Sequence, residues 1–105
     1  MTVRDRRVEQ AIVRRICAHL GHEPAAGEVI EHETSFFAAD GFRLGDHEFD
    51  SMDFVEMIVT LEEDFQIAIL DAGEIEDVDS IVKLASFAVE RADRDRVEAF
   101  CRQWS

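Results

Sequence analysis

Asp50-Ser51-Met52-Asp53-Phe54-Val55-Glu56-Met57-Ile58-Val59-Thr60-Leu61-Glu62-Glu63-Asp64-Phe65 is the stretch that decides the fold. Phe54, Met57, Ile58, Leu61 and Phe65 recur at helical spacing and predict the buried stripe of an amphipathic helix, with Asp50 or Ser51 as its N-cap. Met52, Val55 and Val59 fall on the opposite edge beside carboxylates, which suits a contact surface. A serine hydroxyl at a helix start lies next to unpaired amides and the positive end of the helix dipole. A phosphate esterified to it would be electrostatically favoured. Taken alone, the same serine is also explained as a plain helix cap.

Working outward, Val8, Ile12, Val13, Ile16 and Leu20 predict a first helix from about residue 3 to 20, with Thr2 to Asp5 as a capping box and Gly21 as the stop. The connection from Gly21 to Phe49 is longer than most loops, so it needs anchors. Phe36, Phe37, Phe42, Leu44 and Phe49 are the candidates. Gln66 to Leu70 alternates like a strand but has no sheet to join. Asp71 to Asp77 suits a short third helix, and Asp79 or Ser80 caps a fourth beginning near Ile81. Its stripe of Leu84, Ala85, Ala88, Val89 and Ala92 is prolonged by Val97, Phe100, Cys101 and Trp104, so this helix is either long or broken between Ala92 and Asp95. The expected fold class is therefore all-α, a bundle of three main helices plus one short helix, with a long first loop and an extended C-terminal helix.

A chain of 105 residues supports one domain, here a core over 1–92 and a helical extension over 93–105. A formal charge of -13, from 24 acidic against 11 basic residues, argues against a nucleic-acid ligand and for partners with basic docking surfaces. No apolar run approaches the roughly 20 residues that span a bilayer, and the N-terminus lacks a signal-peptide core, so a cytoplasmic chain is expected. Cys17 and Cys101 are far apart with no Cys-His spacing, which suggests two reduced, packed thiols and no zinc site.

Two acidic patterns compete for chemistry. Glu62, Glu63 and Asp64 are sequence neighbours that point in different directions on a helix, so they form a solvated recognition face and not a catalytic pair. Contacts from Glu62 and Glu63 to partner Lys or Arg would steer encounter and weaken with salt. Asp46, Glu48 and Asp50 alternate like the first ligands of a calcium loop, but Ser51 stands where that loop needs glycine and Met57 where it needs glutamate. No dedicated metal site is expected. His47 reads as an exposed loop residue, and His19, His22 and His32 lack ligand spacing.

Asp50 to Phe65 closely resembles the Asp-Ser-Leu-Asp segment and recognition helix of acyl carrier proteins, with Met52 in the place of leucine; a weaker likeness runs from Val8 to about Val89. The resemblance implies a carrier bundle in which Ser51 bears 4'-phosphopantetheine, whose thiol holds acyl groups as thioesters. It places Asp50, Met52, Asp53, Val55, Glu56, Val59, Glu62 and Glu63 on the partner-facing side, and Met57, Ile58, Leu61, Phe65 and Ile69 around the core into which some carriers fold their acyl chain. It implies no catalysis by the chain itself. The partners would be a phosphopantetheinyl transferase, an acyl- or aminoacyl-loading ligase or transferase, and a downstream synthase of fatty-acid, polyketide or related biosynthesis. Such a shuttle is expected to be monomeric.

The chain departs from that pattern beside the serine. Ser35-Phe36 is followed by a long stretch to Asp50, and residues 94–105 continue past the usual last helix. Leu70 stands where many relatives turn with proline. These features suggest a specialised stand-alone carrier. An aminoacyl or peptidyl carrier and an unmodified acidic interaction module are the alternatives. A hydrolase using Ser51 lacks a placed base.

Overall fold

The computed structural model describes residues 5–23, 30–37, 43–44, 47–70 and 75–104, with 43–44, 47–48 and 75 described as backbone only. Helix α1 (Arg6–Leu20) begins at Asp5, whose side chain accepts the Val8 amide, and ends at Gly21 with φ 69°. That left-handed conformation is one that glycine adopts without a Cβ penalty. The expected cap at Thr2 is thus corrected to Asp5, and the helix starts later than residue 3. A carboxylate one residue before the first turn supplies the acceptor that the orphan amides need.

Helix α2 (Ser51–Phe65) is capped by Asp50 and ends at Gln66. A 3-10 turn (Ile75–Asp77) precedes helix α3 (Ile81–Arg91), whose N-cap Ser80 accepts the Lys83 amide. Residues 71–74 of the expected short helix lie outside the described residues. Helix α4 (Arg94–Gln103) then follows as a separate element, capped by Asp93. The extended C-terminal helix is therefore two helices, broken between Ala92 and Asp93. Ala92 adopts an extended conformation with ψ 155° and Asp93 turns its carboxylate to the Asp95 amide, a local bond that competes with continued helix. Among the described residues the architecture is four α-helices, a 3-10 turn, and one feature not anticipated: strands β1 (Arg43–Leu44) and β2 (His47–Glu48), paired antiparallel within the loop before α2.

α1 packs against α3 and α4, and α2 against α4. Val8, Ile12 and Ile16 of α1, Phe54, Ile58, Leu61 and Phe65 of α2, Ile81, Leu84 and Ala88 of α3, and Val97, Phe100 and Cys101 of α4 form one buried cluster, joined by Phe36, Phe49, Ile69 and Val78. Phe36 and Phe49 are the anchors expected of the long connection, with ring centroids 5.2 Å apart. Phe37 is not. Its ring is 49% exposed, because its neighbour Phe36 takes the inward position. Val89, expected in the α3 stripe, is also exposed. The side chains of Phe42 and Leu44 lie outside the described residues. No helix among the described residues is long and apolar enough to cross a membrane.

Candidate functional site at the start of α2

Asp50 Oδ1 accepts the Asp53 amide at 2.8 Å while Asp53 Oδ2 accepts the Asp50 amide at 3.2 Å, a reciprocal capping box. The helix end is closed by these two carboxylates. Ser51 is the first residue inside it, exposed, with its hydroxyl not needed as the cap. Of the first-turn amides, those of Ser51 and Met52 have no intrahelical acceptor by geometry, and they sit at the positive end of the dipole.

The segment before the serine is held by bonds to α1 and α3. The buried carboxylate of Glu9 lies 2.9 Å from His32 Nδ1, the His32 carbonyl accepts the Val82 amide at 3.0 Å, and the Phe36 amide donates to the Asp79 carbonyl at 2.7 Å. The Ser35 hydroxyl donates to Asp79 Oδ2 at 3.4 Å and accepts the Phe37 amide at 3.2 Å. Phe36 and Phe37 are thereby laid against the first turn of α2, at centroid distances of 5.6 and 4.9 Å from Phe54.

The residues read as partner-facing divide into two groups. Met52 is 69% exposed, and Val55, Glu56, Val59 and Glu63 share its side of the helix. Asp50 and Asp53 serve the cap. Glu62 is half-buried, and its carboxylate accepts the Ile69 amide at 2.7 Å and the Leu70 amide at 3.4 Å, which folds the Gln66–Leu70 segment back onto α2. Glu56 lies 3.4 Å from His19 Nε2. The adjoining Asp64 accepts from Arg15 Nε at 2.7 Å, and the Arg15 guanidinium stands 4.9 Å over the Trp104 ring. The exposed surface beside Ser51 is therefore an aliphatic strip of Met52, Val55 and Val59, bordered by Glu56 and Glu63.

Met57, Ile58, Leu61, Phe65 and Ile69 are all buried and packed together. Phe65 faces Phe100 of α4 with ring centroids 4.3 Å apart. Two surface depressions, of about 340 Å³ lined by Arg6, Ile30, Glu31, His32 and Glu33 and of about 270 Å³ lined by Asp93, Asp95, Arg96 and Ala99, include none of them. Among the described residues no three His, Cys, Asp or Glu side chains group to hold a metal ion. The side chains of Asp46, His47 and Glu48 lie outside the described residues. Both cysteines are buried. Sequence reasoning missed Glu9 and His32. The available signal was that Glu9 sits inside the apolar run Val8 to Val13 on the core face of α1.

Compared with family models, curated proteins and solved structures, the chain matches none. Its function has to be argued from the residues just described.

Proposed function

We propose that the chain is a carrier protein, without catalysis of its own, that holds acyl intermediates on a 4'-phosphopantetheine arm at Ser51 and presents them to enzymes of fatty-acid, polyketide or related biosynthesis. The observation that carries this reading is the division of roles in the first turn of α2. Asp50 and Asp53 satisfy the helix end, so the Ser51 hydroxyl is exposed on a rigid element with no capping duty. That removes the commonest alternative explanation for a serine at this place.

Attachment would join the Ser51 oxygen to the phosphorus of coenzyme A that bears pantetheine. The pyrophosphate bridge breaks, the adenosine bisphosphate half leaves, and the hydroxyl proton passes to a base of the transferase. The amides of Ser51 and Met52 and the helix dipole favour the resulting phosphodiester, and the charges of Asp50 and Asp53 oppose it in part. When bound, the arm supplies the thiol on which an acyl group rides. The chain's own residues fix where that arm starts and offer the Met52, Val55 and Val59 strip, with Glu56 and Glu63 at its border, to partner enzymes.

The test is the intact mass of the purified protein before and after incubation with coenzyme A, magnesium and a broad-specificity phosphopantetheinyl transferase. A gain of one phosphopantetheinyl group that Ser51→Ala abolishes is expected. No gain by the folded protein, with a known carrier modified in parallel, would sink the reading in favour of an unmodified interaction module.

A further inference from the structure

With Ser51 taken as the attachment point, we propose that the cargo stays outside the helical bundle, lying against the exposed ring of Phe37, and that α4 is what keeps it there. The cargo class this shelf fits is a short apolar or aryl acyl group.

Among the described residues the interior beside α2 is filled by buried side chains. Ile58, Leu61 and Phe65 are fully buried, and the Phe100 ring of α4 packs against Phe65 at a tilt of 43° with centroids 4.3 Å apart. An acyl chain entering between the helices would have to displace Phe100 from a close-packed site and forfeit its contacts. Arg15 reinforces the closure, because the same guanidinium that holds Asp64 of α2 also covers Trp104 at the end of α4.

Outside the bundle the arm starts beside a ready surface. On an α-helix a residue three positions ahead lies about 60° to one side and one four ahead about 40° to the other. Ser51 therefore sits between Phe54, which carries Phe37 edge-on at 4.9 Å, and Val55, which belongs to the aliphatic strip. The Phe37 ring is half in solvent, yet its backbone is fixed by the Ser35 hydroxyl and the bonds to Asp79. A ring on a backbone already held in place costs less ordering when a ligand covers it. Covering it with an aryl or short aliphatic group removes apolar surface from water on both partners and allows edge or offset ring contact.

The experiment charges the full-length protein with phenylacetyl or octanoyl groups, using the transferase and the corresponding acyl-coenzyme A. Backbone amide NMR spectra are then compared with the uncharged phosphopantetheinylated protein. Cargo-dependent shifts are expected at Phe36, Phe37 and Met52 and not at Leu61, Phe65 or Phe100. Phe37→Ala, at an exposed ring, should remove them. Phe100→Ala, which opens space beside Phe65, should move the octanoyl shifts inward to Leu61 and Phe65. Shifts at Leu61, Phe65 and Phe100 in the unsubstituted protein, or the absence of any cargo-dependent shift around Phe37, would overturn the proposal. The mass of the same sample separates the two claims. A sample with no added group at Ser51 overturns the attachment site and the shelf together, whereas a charged sample with interior shifts overturns the shelf alone.

Discussion

Arg15 Nε donates to Asp64 Oδ2 across 2.7 Å, tying the middle of α1 to the last turn of α2. The same guanidinium stands over Trp104, so one side chain joins three helices. Both charged side chains keep about a quarter of their surface in water, which limits what the pair contributes. A double-mutant cycle of Arg15→Met and Asp64→Asn in urea is expected to give a coupling of about 0.5–1 kcal/mol that falls with added salt. Arg15→Met alone should cost more than the coupling, because the contact with Trp104 goes too.

The capping box separates stability from chemistry at the site. Asp50→Ala is expected to lower unfolding stability by about 1 kcal/mol, the usual cost of a lost N-cap. Ser51→Ala should stay within about 0.5 kcal/mol of the parent, as for a surface substitution away from a cap. Urea denaturation of the two variants decides the matter. A large loss in Ser51→Ala would mean that the serine, and not Asp50, closes the helix.

Glu9 has a relative exposure of 0% and meets the imidazole of His32. His32→Ala removes this partner of a buried carboxylate, at an expected cost of about 1–3 kcal/mol. The amides of Val82 and Phe36, which donate to the carbonyls of His32 and Asp79, should lose hydrogen-exchange protection before the core of α2 does.

Gln66 adopts φ 57° at the end of α2, a left-handed conformation that costs a non-glycine residue. Gln66→Gly removes that strain but also removes the Nε2 bond to the Glu63 carbonyl at 2.7 Å. A net gain of about 0.5 kcal/mol in unfolding stability is expected, with the strain term larger than a solvent-exposed hydrogen bond.

Burial pushes the Cys101 thiol above its ordinary value of 9.0, and its side chain is 1% exposed. The folded thiol therefore stays protonated at a pH where the unfolded one has begun to ionise. The unfolded state then binds fewer protons, so the stability this group contributes is fully present below pH 9.0 and declines as pH rises through the folded value. Alkylation of Cys101 by iodoacetamide at pH 8 should be slow in the native protein and fast in urea.

Periodicity made the helices legible because each one buries apolar residues at helical spacing, as α2 does with Phe54, Met57, Ile58, Leu61 and Phe65. The break between α3 and α4 was harder to read, since Val97, Phe100 and Cys101 after Asp93 continue the helical spacing of Leu84, Ala85 and Ala88 before it. The run ends at the extended backbone of Ala92 and the carboxylate-to-amide bond of Asp93. Which of Phe36 and Phe37 faces inward was not readable either, because both are equally apolar and the choice is made by the Asp79 carbonyl fixing the Phe36 amide. At the site, a helix cap at Asp50 or Ser51 was evident from where the apolar stripe begins, and Asp50 is the residue that takes it. The engagement of Glu62 with the Ile69 and Leu70 amides was not, because nothing in a run of three acidic residues says which of them turns back towards the chain.

α1 packs against α4, so the first and last helices described here are neighbours in space, joined at the surface by Arg7 and Glu98 at 2.9 Å. During synthesis, the inner face of α1 must wait for a partner that is made some eighty residues later, as the span from α1 to α4 shows. The growing chain is then a bundle with one side open, the part of α1 that faces α4 staying uncovered after α3 has docked and until α4 arrives. Final closure is a late event in such a topology, and a nascent chain stalled before α4 would be the form most exposed to chaperones and proteases.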